Sequence, residues 1–166
     1  MTAVRKTPRA SRVETAQVVL PGLANVHGGI FGGMMMQWID LVAAVAAGRH
    51  AGGAVVTASM DRLHFLRPVL VGEVAILEAQ VNFAARTSME VGVRVFSENP
   101  ATRLRLQTTR AYLTFVAIDP GGRPRPVPPL VLETAEDRRR FADARKRRAV
   151  RLRERRAMKA QHARDG

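Results

Sequence analysis

Cysteine is absent from this 166-residue chain, which removes disulfide staples, thiol nucleophiles and cysteine-based metal centres together. The four histidines, His27, His50, His64 and His162, fall in no metal-ligand spacing, so no metal is expected. Aromatics are sparse. One Trp and one Tyr do not make the stacking platform of an RNA-binding surface. The first dozen residues are basic and polar and contain no apolar signal-like core, so the cytoplasm is the default compartment. Acids are scarce as well, 14 against 27 Lys and Arg, for a net charge of +13. Such a balance ordinarily points to a polyanion. Here much of the excess lies beyond Glu136, in a stretch dominated by Arg, Lys and Ala, which reads as a solvated basic helix. The remaining surplus suits a phosphate-rich small ligand as well as it suits a polymer, and nucleic acid is not the expected partner.

What is present is a glycine cluster running into an apolar helix. Gly28, Gly29, Gly32 and Gly33 crowd six positions. Behind them Ile30, Met34, Trp38, Leu41 and Val45 follow a helical period, and Phe31, Met35, Ile39, Val42 and Ala46 fill the next stripe. A helix apolar nearly all round is a buried helix. It approaches membrane-spanning length, but Asp40 interrupts it and its flanks are Gly-rich, so no membrane span is assigned. Gly48 marks its expected end, with Gly52 and Gly53 as the stop signal.

Asp40 is the most informative residue. A carboxylate in a buried helix is costly unless it is paired, hydrogen-bonded or facing a cleft. The structural reading is a satisfied core Asp; the functional one is a general base or nucleophile. The helix entrance favours the second, because its free N–H groups can stabilise an oxyanion or a phosphate. A carboxylate with such donors is what acyl transfer requires. Asp40 lies seven residues past Gly33, roughly 10 Å along one helix, too far for both to serve one carbonyl. A two-fold dimer that sets one helix start beside the other chain's Asp40 solves the geometry.

Around this helix the chain divides into a disordered tail (1–11), one α+β domain (12–119), a Pro-rich connector (120–133) and a basic helical extension (134–166). Glu14–Leu20 reads as an edge strand. From Val55 the period changes to two, giving expected strands at 55–66, 71–83, 89–96 and 104–118 with short turns, an antiparallel meander that curls round the helix. In the last strand Leu106, Thr108, Arg110, Tyr112 and Thr114 share one face. Thr134 is the expected N-cap of the final helix, with Asp137 at its third position.

Gly28-Gly29-Ile30-Phe31-Gly32-Gly33 with Trp38-Ile39-Asp40, Phe65-Leu66-Arg67-Pro68-Val69 with Val71-Gly72-Glu73-Val74, and Arg86-Thr87-Ser88 resemble, in order and spacing, the hotdog-fold acyl-CoA thioesterases of the YciA and cytosolic acyl-CoA hydrolase type. The resemblance covers about residues 12–128. It implies a central helix wrapped by an antiparallel sheet, dimers as the minimal active unit, hexamers as trimers of dimers, and hydrolysis of acyl-CoA to free acid and CoA, with CoA part of the substrate and no separate cofactor. It maps the family's helix acid onto Asp40 and places the carbonyl oxygen at the N–H groups near Gly32 and Gly33. The Asn or Asp that many members carry just before the Ile-Phe-Gly-Gly tetrad falls on Gly29, so Asn25 and His27 are the loop candidates to stand in for it; aligning on Asn25-Val-His-Gly-Gly29 instead would carry the acid to Met36. Phe31, Arg67, Arg86, Thr87 and Ser88 are the implied substrate and CoA contacts. A dehydratase of the same fold, pairing His27 with Asp40, and a basic nucleic-acid-binding module are the alternatives.

Overall fold

The computed structural model describes residues 4–165. Helix α1 (Gly32–Ala51) lies on one face of a five-stranded sheet, and helix α2 (Ala135–Asp165) starts across the other. The strands are β1 (Val13–Val18), β2 (Val55–Met60), β3 (Val74–Ala84), β4 (Ser88–Glu98) and β5 (Arg105–Ala117), in the order β1-β3-β4-β5-β2 with every neighbour antiparallel. The expected four-strand meander is therefore three strands long. β2 does not pair with β3; it borders β5 at the far edge, because α1 delivers the chain to the end of β5, where the Ile118 N–H donates to the Ala54 carbonyl at 3.1 Å.

Alternation builds the core. Ala75, Leu77, Ala79 and Val81 of β3, Met89, Val91, Val93 and Val95 of β4, and Leu113, Phe115 and Ala117 of β5 face α1 and are buried. They meet Met35, Ile39, Val42, Ala43, Ala46 and Ala47, the small residues letting helix and sheet approach. The sequence led to the expectation of a helix buried all round, but α1 is covered on one side only. Leu41 is 56% exposed and Val45 48%, because that stripe points away from the sheet. The helix also runs past Gly48 and stops at Gly52, which takes the left-handed conformation (φ 68°) and donates its N–H to the Gly48 carbonyl at 2.8 Å.

Other expectations change with packing. β2 ends at Met60 rather than Leu66, and 61–73 is a loop tethered along β5: Asp61 N–H to Tyr112 O (2.9 Å), Leu66 N–H to Thr108 O (3.0 Å), and Thr109 Oγ1–H to His64 O (2.6 Å). Register shifts make Ala58, Asn82 and Thr108 extra residues in their strands. The one at Thr108 splits the single face expected for β5: Thr108 lines a cleft beside α1, whereas Arg110 and Tyr112 face α2. Residues 4–11 are not a loose tail. Pro8–Ser11 form a 3-10 turn, and fully buried Ser11 accepts the Val81 N–H at 2.9 Å; residues 1–3 of the expected tail lie outside the described residues.

The Pro-rich connector is held to the domain by Arg125 N–H to Ala117 O, Val127 N–H to Arg86 O, and the Lys6–Leu130 bridge. α2 opens with the expected reciprocal cap between Thr134 and Asp137 (3.0 and 3.1 Å). Its first half is packed rather than solvated. Ala144 is fully buried, and Phe141 stacks obliquely on Phe83 at 4.9 Å. Among the described residues no helix is long and apolar enough to cross a membrane.

Candidate active site

The entrance to α1 is built by a tight turn. Asn25 Oδ1 accepts the His27 N–H at 2.8 Å, and Gly28, with φ 79°, donates to the Asn25 carbonyl at 3.1 Å. Only glycine takes that conformation without strain. The chain then anchors itself through Ile30 N–H to Val69 O and Phe31 N–H to Leu23 O, both 2.8 Å. Phe31 is the N-cap and supplies no side-chain acceptor, so the Gly32 and Gly33 N–H groups begin the helix uncapped. A Cβ on Gly33 would lie 2.7 Å from the Phe31 ring, which lies across that position. Beside this end opens a cleft of about 290 Å³, lined by Asn25, Ile30, Gly32, Phe65, Arg67 and Thr108 among others.

Asp40 lies elsewhere on the helix, outside that cleft. It is half-buried, and its Oδ1 accepts a hydrogen bond from Thr57 Oγ1 at 2.8 Å. Thr57 precedes the bulge at Ala58 on the open edge strand β2, a distortion that suits the re-aiming of a side chain. Thr57 was not foreseen. A Thr in a strand is ordinary, and its pairing with an acid 17 residues earlier is visible only once β2 lies beside α1.

The remaining candidates divide between these two places. Phe31 (60% exposed) and Arg67 stand at the cleft end. His27 is exposed at the tip of the turn and does not line the cleft, and within one chain it lies apart from Asp40. Arg86, Thr87 and Ser88 form the β3–β4 turn, about 35 Å along β3 from its start near the cleft. They belong with the Asp40 end, since Met89, Phe115 and Thr57 stand in one row across β4, β5 and β2, which puts the turn about 10 Å from Thr57. One chain therefore keeps the candidates in two separate groups: uncapped N–H groups with Asn25 and Arg67, and Asp40 with Thr57 and the Arg86–Ser88 turn.

A second charged cluster, unforeseen in the sequence, lies on the opposite face of the sheet. Glu90 is 1% exposed and is paired with two arginines of α2. Arg147 donates from Nη2 to Glu90 Oε1 at 2.7 Å and stacks over Tyr112 at 3.6 Å. Arg151 Nη1 lies 2.9 Å from Glu90 Oε2 and donates to Asp61 Oδ2 at 2.7 Å. Burial pushes the Asp61 carboxyl above its ordinary range, while Arg151 pulls the other way. At the C-terminal end of α1, His50 is fully buried, with Nε2 2.8 Å from the Pro128 carbonyl and Nδ1 without a partner among the described residues; burial lowers its pKa. Among the described residues no group of three His, Asp or Glu could hold a metal ion.

Comparison with known proteins agrees with this architecture. Residues 27–103 match the family model described as Thioesterase superfamily. A Bacillus subtilis protein named as the uncharacterized acyl-CoA thioester hydrolase YkhA is 40% identical over 129 residues, covering 78% of this chain and 75% of that one. A crystal structure of an apo-hexameric acyl-CoA thioesterase superposes with a TM-score of 0.87 at 41% identity, over 91% of this chain and 97% of that chain. The acyl-CoA hydrolase of Staphylococcus aureus, solved with butyryl coenzyme A and coenzyme A, gives 0.86 at 33% identity over 96% of each. Alanine variants of that enzyme at one Asn, one Asp and one Thr have also been solved, and these residues follow one another at intervals of 15 and 17 in its chain. Asn25, Asp40 and Thr57 have the same intervals, so alignment on Asn25 leads to Asp40 and not, as expected from the sequence, to Met36. With sequence identity extending over most of both chains and the same helix-and-sheet layers, this chain is a hotdog-fold member of the thioesterase superfamily.

Proposed function

We propose that the protein hydrolyses acyl-CoA to a free carboxylic acid and CoA at sites shared between two protomers. The observation that carries this reading is the separation of the two groups on one chain, with Asn25, Asp40 and Thr57 at the intervals found in the Staphylococcus aureus hydrolase. The surface that would join them is apolar and open: the Leu41 and Val45 stripe of α1, with Val56 on the edge strand β2. A second copy related by a two-fold axis would cover it and bring one chain's Asp40 to the other's helix entrance. Dimers of this kind assembling into a hexamer agree with the hexameric relative.

In this mechanism Asp40, oriented by Thr57, takes a proton from water as its oxygen attacks the thioester carbonyl. The carbonyl oxygen becomes an oxyanion held by the N–H groups of Gly32 and Gly33, with the Asn25 amide beside them. Collapse breaks the C–S bond; the thiolate of CoA leaves and receives the proton held by Asp40. Arg67 and the Arg86–Ser88 turn meet the CoA phosphates, and Phe31 borders the acyl entrance. The cytoplasm is the compartment proposed for this reaction.

The test follows thiol release from butyryl-CoA and palmitoyl-CoA. Asp40→Ala and Asp40→Asn are expected to lose at least about a hundredfold in kcat while retaining the wild-type oligomer and melting temperature. Near-normal turnover by either folded variant would remove Asp40 from the chemistry.

A further inference from the structure

We infer that α2 positions a wall of the substrate cleft, through Arg151 acting on Asp61; the inference rests on the hydrolase reading above and assigns the basic C-terminal helix a part in that site. The cleft wall is the loop that follows β2, whose residues Phe65, Leu66, Arg67 and Pro68 line the opening beside the α1 entrance. This loop has no regular secondary structure to hold its shape. Beyond Pro68 it is tied to the turn before α1 through Val69 and Val71. From its base to Leu66 its route depends on tethers to β5 at Asp61, His64 and Leu66, and on one charged tether to α2, the Arg151–Asp61 pair four residues before Phe65.

That pair is built to be stiff. Asp61 and Arg151 have side chains only 19% and 16% exposed, so solvent screens them little. Arg151 is itself fixed from the other side by Glu90, a fully buried carboxylate near the start of β4. Glu90 is further clamped by Arg147, which stacks on Tyr112, and the Tyr112 carbonyl in turn accepts the Asp61 N–H. The loop base is thus held by both its backbone and its carboxylate to a rigid sheet-and-helix cluster. Arg151 touches neither the cleft nor any group proposed to react. It is a positioning residue, and displacement of the loop it holds alters binding before chemistry.

The experiment uses the full chain with butyryl-CoA. Asp61→Asn is expected to raise KM roughly fivefold or more with kcat within about twofold of wild type. Arg151→Gln should match it, and the double variant should go no further than either single one, since both remove the same tether. Arg147→Gln is the control: it weakens the cluster and lowers the melting temperature but leaves the Asp61 tether, so KM should stay at the wild-type value. Hydrogen exchange at the Leu66 amide gives a readout independent of turnover, expected to quicken roughly tenfold in Asp61→Asn and Arg151→Gln but not in Arg147→Gln. Unchanged Leu66 exchange in folded Asp61→Asn overturns the inference. So does an equal KM rise in Arg147→Gln, which would mark a general loosening. A wild-type protein that hydrolyses no acyl-CoA refutes the proposed function alone; Leu66 exchange then decides whether α2 holds the loop.

Discussion

Replacing Arg147 by methionine isolates the energetics of the buried cluster. The substitution keeps an unbranched apolar stem of similar length in the helix but removes the guanidinium from Glu90 and from the Tyr112 ring. Glu90, at 1% exposed, cannot turn to water while α2 stays docked, and keeps only Arg151. Breaking a buried ion pair costs about 3–5 kcal/mol, since the remaining charge loses its compensation. The surviving Arg151 contact moves the expected loss to the lower end, and the lost stacking over Tyr112 adds about 0.5–2 kcal/mol. A total loss of about 4 kcal/mol lowers the melting temperature of a chain this long by about 8–16 °C. The assay is calorimetric or fluorescence melting at one fixed protomer concentration, because assembly itself contributes to stability. A paired Glu90→Gln variant shows whether the cost arises from a stranded charge: in its background, Arg147→Met should cost much less. A drop under about 2 °C for Arg147→Met alone would refute the reasoning, because α2 would then be docked by something other than this clamp.

Two further outcomes follow from other parts of the molecule. Mixing Asp40→Ala chains with Gly33→Val chains should restore turnover, because in a heterodimer one shared site carries both lesions and the other neither; verified, folded heterodimers with no activity would place the whole site within one protomer. His50, buried with its pKa lowered by desolvation, contributes stability as the neutral ring, fully present above its unfolded pKa near 6.5 and lost as pH falls below that value toward its lowered folded pKa. The decline in melting temperature between pH 7.5 and 5 should therefore be shallower in His50→Gln than in wild type, and parallel profiles would assign the acid sensitivity to other groups.

Local physics made much of the protein legible before any coordinates. Asp40 stood out because an acid within a continuous apolar helical pattern is costly wherever that helix packs. The Thr134–Asp137 cap and the strand character of β3, β4 and β5 are also local, each set by neighbouring residues or by a period of two. Pairing partners were not. β2 borders β5 because of where α1 ends, and this non-local placement alone brings Thr57 to Asp40. Bulges at Ala58, Asn82 and Thr108 reverse the phase of alternation, so a pattern read straight through them puts Thr108 on the wrong face. Glu90 was hidden for a related reason. Within an alternating strand it reads as an outward polar residue, and it becomes a buried charge only when a helix almost without apolar residues lies over it. α2 docks by guanidinium groups on a carboxylate and an aromatic ring more than by greasy contact, so its composition predicted a solvated helix where the tertiary structure made it a packed one.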